Sequence, residues 1–133
     1  MTAGMKILAA PLLTALLLLP GGRGLAIVDG DTLDIAGERI RIANIDAPEI
    51  HQAKCPDEKA LGLEAKARLR QLVTGALLAI SRGDPQDGRL KDWRGRTLAL
   101  IAVDGRDVGQ VLIEEGLARP WTGKRLPWCG VPL

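Results

Sequence analysis

The sequence predicts an α+β domain built on a five-stranded antiparallel β-barrel of the OB type, with two helices. Three observations carry that prediction. Short apolar stretches with period-two alternation recur between glycine turns from Leu25 onward. Two stretches, opening at Pro56 and at Asp107, switch to helical spacing. The order is three strands, a helix, two strands and a helix, and closing such short strands into a barrel removes their exposed edges.

Each element has its own signal. Leu25 to Val28 reads as the first strand, and Asp29-Gly30 as a two-residue hairpin turn, because glycine tolerates positive φ. Asp31 to Ala36 is the second strand, with Leu33 and Ile35 on one face and Thr32 and Asp34 on the other. After Gly37, Glu38 to Ile45 is the third, with Ile40 and Ile42 inward and Arg39 and Arg41 outward. Ala47-Pro48 stops it, since proline cannot donate to a ladder. The first helix opens on Pro56, with Asp57 and Glu58 at the positive end of its dipole. Leu61, Ala65, Leu69, Leu72 and Val73 form its apolar stripe, and Gly75 suits its C′ position. Ala76 to Ser81 is a fourth strand, Gly83 to Asp92 a polar loop, and Arg96 to Val103 a fifth strand. Asp107 caps the second helix, with Gln110 placed to reach back as in a capping box. The tail from Leu117 reads as an irregular segment packed on the body.

Two segments differ in character. Residues 1–26 hold Lys6, an apolar run from Ile7 to Leu19, and then Pro20, Gly21 and Gly22. That is the pattern of an export signal, shorter than the roughly 20 apolar residues of a spanning helix. Cleavage fits after Gly24 or after Ala26, and an uncleaved membrane anchor is the alternative. Residues 27–133 are then one domain, in an exported (periplasmic or secreted) protein.

Charge is informative by position rather than in total. Without Lys6 and Arg23 the chain has equal numbers of acidic and basic side chains, so the nominal +2 is no nucleic-acid signature. Residues 27–58 carry eight acids against three bases, and residues 59–133 carry thirteen bases against eight acids. An acidic half suits a cation and a basic half suits a polyanion, although ordinary surface charge gives the same picture. Three Trp with no Phe or Tyr leave the core to aliphatic residues.

The chemistry is concentrated in Val28 to Glu49 and in Asp92 to Ala99. Asp31 and Asp46 are hard oxygen donors of the kind Ca²⁺ or Mg²⁺ prefers, and both fall at strand ends on one rim. Two carboxylates leave most of a coordination shell open, which suits a catalytic cation; each alone is equally ordinary turn chemistry. Glu49, in the loop beyond, is placed to take a proton from an attacking water. Arg41 and Arg96 are bidentate donors for phosphate oxygens. One conflict stands in this reading. Arg41 and Asp46 are an odd number of residues apart, so they share a site only if the strand bends or ends near Asn44.

VDGDTLDI, RIANIDAPE, DWRGRTLA and the DVGQVLIEEGLA helix, in this order, resemble the staphylococcal nuclease (thermonuclease) family over about residues 26 to 121. The resemblance implies that Asp31 and Asp46 ligate one Ca²⁺, with Ala47 adding a backbone carbonyl. It implies that Glu49 is the general base and that Arg41 and Arg96 bind the phosphate. The implied reaction is cleavage of DNA or RNA between phosphorus and the 5′ oxygen, leaving 3′-phosphate ends. Single-stranded or loosely paired substrate and a monomer with no stable protein partner follow from the same reading. Three features depart from the family. Arg94 stands where a Tyr is common, the substrate-packing tyrosines are missing, and the last helix has no counterpart in the Pro-rich tail. Arg94 and Trp121 are candidate substrate contacts; Trp121 or Trp93 can supply a stacking face, although packing against the barrel is the expected place of each.

Cys55 and Cys129, the two cysteines, form a disulfide in an exported protein or remain free thiols. The competing functions are a non-catalytic OB module for single strands and a protein-interaction module. Neutral charge and scarce aromatics weigh against the first. For the second, the five polar side chains have no reason to converge.

Overall fold

The computed structural model describes residues 14–18 and 24–130. Most of the export segment expected over residues 1–26 therefore lies outside the described residues. The elements in chain order are β1 (Thr14–Leu18), β2 (Leu25–Asp29), β3 (Thr32–Ile35), β4 (Glu38–Ile42), β5 (Ile45–Asp46), α1 (Pro56–Val73), β6 (Leu77–Arg82), β7 (Thr97–Val103), β8 (Arg106–Asp107), α2 (Val108–Glu114) and β9 (Arg119–Pro120). Among the described residues no helix is long and apolar enough to cross a membrane.

The strands form an open path, β1-β6-β7-β4-β3-β2, with β8 on β7 and β5 paired separately with β9. This corrects two expectations: the barrel does not close, and β4 pairs with β7 in parallel. The cause lies after β4, within the path, and at the β2 end. The third strand stops at Ile42, turns at Ala43-Asn44, and resumes as β5, which leaves the sheet to pair with β9 in the tail. At the β2 end, β2 pairs with β3 and packs against α1 instead of another strand. The core between sheet and helices is aliphatic, with Leu33, Ile40, Ile42, Leu69, Ile101 and Leu112 fully buried.

Local chemistry explains most elements. Ala36 and Gly37 both adopt positive φ, 50° and 86°, which makes the tight β3–β4 turn. Asp107 caps α2 by accepting the Gln110 N–H at 2.8 Å, while the Gln110 side chain turns to Glu114 instead of reaching back. Gly30 behaves otherwise. The first hairpin turns at Gly30-Asp31, one residue later than expected, and Gly30 is not left-handed. A Cβ there would sit 2.7 Å from Ala65 Cβ and 2.8 Å from Ala47 Cβ, so glycine is needed for close approach.

Helix α1 buries Ala65, Leu69 and Val73 of the expected stripe but turns Glu58 and Gly62 inward in place of Leu61 and Leu72. Its buried face is Glu58, Gly62, Ala65, Leu69 and Val73, with Leu61 and Leu72 on its flanks. Gly62 lets the helix touch the Pro48–Ile50 loop: an added Cβ would lie 2.8 Å from the Glu49 carbonyl oxygen. A disulfide joins Cys55, just before α1, to Cys129 in the tail. Helix and tail thus enclose one loop, residues 47–55.

Candidate active site

The end of β4 at Ile42 resolves the alternation conflict, because Arg41 and Asp46 no longer belong to one strand. The Arg41 side chain is directed inward, only 5% exposed, contrary to the outward face that simple alternation predicts. Its Nη1 donates to the Ile42 carbonyl at 2.7 Å, and its Nη2 stands 3.8 Å from Asp31 Oδ2. Trp121 from the tail covers the guanidinium, 4.9 Å from ring centre to Cζ. That cover is what buries it. Arg41 Nη2 has no hydrogen-bond partner among the described residues, although it is buried. A buried charged donor without an acceptor is costly, and an anion in the adjoining space would satisfy it.

Asp31 is almost wholly buried in the β2–β3 turn. Its Oδ2 accepts the Ala47 N–H at 2.9 Å and its Oδ1 accepts the Thr32 hydroxyl at 3.0 Å. The bond to Ala47 ties the first hairpin to the loop that carries Glu49. Thr32 also accepts from Arg96 Nη1 at 3.4 Å, so Arg96 reaches Asp31 through one hydroxyl. Arg96 is aimed by Asp92, whose Oδ2 accepts its Nε at 2.7 Å and whose Oδ1 accepts its backbone N–H at 2.9 Å. Burial pushes Asp92 up, but the Arg96 backbone and side-chain bonds outweigh this and hold its pKa below the usual range.

Asp46 is buried at the end of β5, and its Oδ1 meets Arg125 Nη1 at 3.0 Å. The same Nη1 lies 3.4 Å from Glu49 Oε2. Burial raises the Asp46 pKa, Arg125 opposes that, and the Asp31 and Glu49 carboxylates add to it. Glu49 itself is held from beneath. The buried Glu58 carboxylate accepts the Glu49 N–H at 3.0 Å and the Lys54 N–H at 2.8 Å, closing the loop between them.

A cleft of about 370 Å³ opens beside these groups, bordered by Arg41, Arg96, Arg94, Trp121, Trp93 and Arg125. Arg94 lies over Trp93 at 4.8 Å and, like Trp93, points to solvent; Trp93 is 84% exposed. The cleft is thus cationic and aromatic, while Asp46 and Glu49 border a second hollow of about 330 Å³. Arg125 borders both hollows.

The carboxylates of this region act on one another. Asp29 is raised to about 7, first by burial, then by the Asp31 charge and its hydrogen bond with Asp31, and further by Glu49. Like charges packed in a low-dielectric site are what a divalent cation relieves. The donors are hard oxygens, which fit Ca²⁺ or Mg²⁺ better than a softer metal. No group of three or more His, Cys, Asp or Glu side chains among the described residues is placed to hold a metal ion, so a cation here would take most of its shell from water, backbone and substrate.

Four contributors were not apparent from the sequence. Asp29 reads as turn chemistry, Glu58 as a helix-dipole residue, and Arg125 as one of many basic residues. Gly62 in mid-helix was the one available signal, since glycine there costs about 1 kcal/mol unless something must approach closely.

Comparison with known proteins adds an independent line. A family model described as staphylococcal nuclease homologue matches residues 39–125. The succinoglycan biosynthesis protein ExoI of Rhizobium meliloti (strain 1021) is 37% identical over 98 residues, covering 70% of this chain and 48% of that protein. The SPbeta prophage-derived endonuclease YokF of Bacillus subtilis (strain 168) is 35% identical over 98 residues, 69% of this chain and 31% of its own length. The endonuclease YncB of the same organism is 33% identical over 98 residues, 69% of this chain and 44% of its length. The chain spans less than half the length of each of these three relatives.

Proposed function

The chain belongs to the staphylococcal nuclease homologue family, and from that premise we propose that it is a nuclease using a divalent cation to hydrolyse phosphodiester bonds of DNA or RNA. The observation that carries the reading is the treatment of Asp31. Arg41 approaches it directly at 3.8 Å and Arg96 through the Thr32 hydroxyl, while an unsatisfied Arg41 nitrogen remains for an anion. A carboxylate for a cation and two guanidinium groups for a phosphate thus meet around Asp31.

Asp31 and Asp46 would hold the cation, with the Ala47 carbonyl as a further donor. A divalent cation there supplies Lewis-acid polarisation of a phosphoryl oxygen. Every other role falls to side chains of this chain. Arg41 and Arg96 donate to the phosphoryl oxygens and offset the charge that grows on pentacoordinate phosphorus. Glu49 accepts a proton from the water whose oxygen attacks phosphorus. The bond from phosphorus to the 5′ oxygen breaks, the departing oxygen takes a proton from solvent, and a 3′-phosphate remains. Ca²⁺ is the cation we assign, because two carboxylates with backbone and water suit its flexible shell.

The exposed Trp93 face supports unpaired strands as substrate, since stacking on bases needs them splayed out. The Cys55–Cys129 disulfide supports an oxidising, exported location. The test is digestion of single-stranded DNA by the protein with Ca²⁺, Mg²⁺ or chelator, followed by analysis of product ends. Glu49→Gln should lower turnover about 10²–10⁴-fold while the protein stays folded. Unchanged turnover removes Glu49 from the mechanism, and 5′-phosphate products overturn the assigned bond.

A further inference from the structure

Arg125 lies in a segment without regular structure, yet both its ends are fixed. On one side, β9 pairs with β5, and the Trp121 N–H donates to the Asn44 carbonyl at 2.9 Å. On the other, Cys129 is bonded to Cys55, Trp128 lies on the Arg119 guanidinium at 3.6 Å, and Arg119 Nη1 donates to the Leu126 carbonyl. Between these anchors a single nitrogen, Arg125 Nη1, reaches Asp46 Oδ1 at 3.0 Å and Glu49 Oε2 at 3.4 Å. The Arg125 side chain is 42% exposed, whereas that of Asp46 is 5% exposed. An ordinary surface ion pair would join two solvated groups and contribute little. Here one partner is buried and assigned to the cation, and the other is assigned to the proton.

We propose that Arg125 is a third arginine of the reaction centre. It serves as the counter-ion of Asp46 and Glu49 while no divalent cation is bound, and it turns to the substrate phosphate when Asp46 is otherwise neutralised. The inference rests on the nuclease reading of Asp46 and Glu49. Its logic is charge competition. Asp46 Oδ1 cannot keep a close guanidinium and give its full charge to a cation, because the two positive charges repel across one oxygen. By linkage, whatever weakens the Arg125–Asp46 pair strengthens cation binding at Asp46. The freed guanidinium is not lost to solvent. The anchors on both sides keep it at the border of the cleft that Arg41 and Arg96 line. There it is a fork-shaped donor suited to phosphate oxygens.

The test uses the full chain with its disulfide intact, as wild type, Arg125→Gln and Arg125→Lys. Calorimetry with Ca²⁺ alone should show Arg125→Gln binding the cation about three- to tenfold more tightly than wild type. In saturating Ca²⁺, a phosphorothioate single-stranded oligonucleotide, which resists hydrolysis, should bind the same variant about tenfold more weakly. Arg125→Lys, which keeps the charge but not the fork, should stay close to wild type for Ca²⁺ and fall between the two for the oligonucleotide. A pair that only braces the tail would move neither affinity. Unchanged or weaker Ca²⁺ binding by Arg125→Gln overturns the counter-ion role, and unchanged oligonucleotide binding overturns the phosphate role. Asp46→Asn separates this from the parent reading. If that variant binds Ca²⁺ as well as wild type, the assignment of Asp46 itself fails, whatever Arg125 does.

Discussion

Asp29 makes the crowding of carboxylates measurable as stability. Its carboxyl ionises near 3.8 in the unfolded chain and is raised to about 7 in the folded one. Burial is the largest cause, followed by Asp31 and then Glu49. Between those values the folded state keeps a proton that the unfolded state has released. The stabilising contribution is therefore complete below the unfolded value, declines as pH rises, and is gone above the folded value. A difference of about three units at about 1.36 kcal/mol each gives about 4 kcal/mol as an upper figure. Because pH 5 already lies about one unit above the unfolded value, about two of those units, or about 2–3 kcal/mol, are lost between pH 5 and pH 8. Asp29→Asn isolates the effect, since an amide oxygen can still accept the Asp31 N–H that Asp29 Oδ1 now accepts at 3.0 Å. The assay is urea unfolding of both proteins at pH 5 and pH 8 in chelator. Wild type should lose about 2–3 kcal/mol more than the variant between the two, and saturating Ca²⁺ should shrink that difference. Parallel pH dependence in the two proteins would refute the argument that these carboxylates crowd one another.

Two further outcomes follow from the enclosure of the Glu49 loop. Cys129→Ser removes a cross-link between residues 74 apart, so stability should fall by about 2–4 kcal/mol and Tm by roughly 10–20 °C; an unchanged thermal scan would mean the tail docks without it. Glu58→Ala removes the acceptor of the partly buried Glu49 and Lys54 N–H groups. It should lower kcat more than it raises KM, with Glu58→Gln, which keeps an acceptor, recovering most of the loss; equal damage from both variants would reduce Glu58 to general support of the fold.

Much of the molecule follows from short-range chemistry in the chain. Ala36-Gly37 turns where a left-handed pair is needed, Gly75 follows the first helix with φ of 71°, and Asp107 caps the second. Such signals involve residues a few positions apart, so the sequence alone places the two helices and the longer strands from β2 onward, but not β1, β5, β8 or β9. The choice of Asp31, Asp46, Glu49, Arg41 and Arg96 as candidates came equally from residue types and motifs. Which way those side chains face is another matter. Arg41 points outward by alternation and is buried in fact, because Trp121, eighty residues away in the chain, lies over it. Glycine at position 30 looks like a turn residue and serves instead to admit Ala65 of the helix and Ala47 of the loop. The open path of strands, the parallel β4–β7 pair and the reach of Arg125 likewise depend on where β5 finds its partner in the tail. The chain's local pattern determines that these charged groups exist at the ends of strands. Only long-range packing decides which of them lose water together, and charges act strongly on one another only where water is excluded.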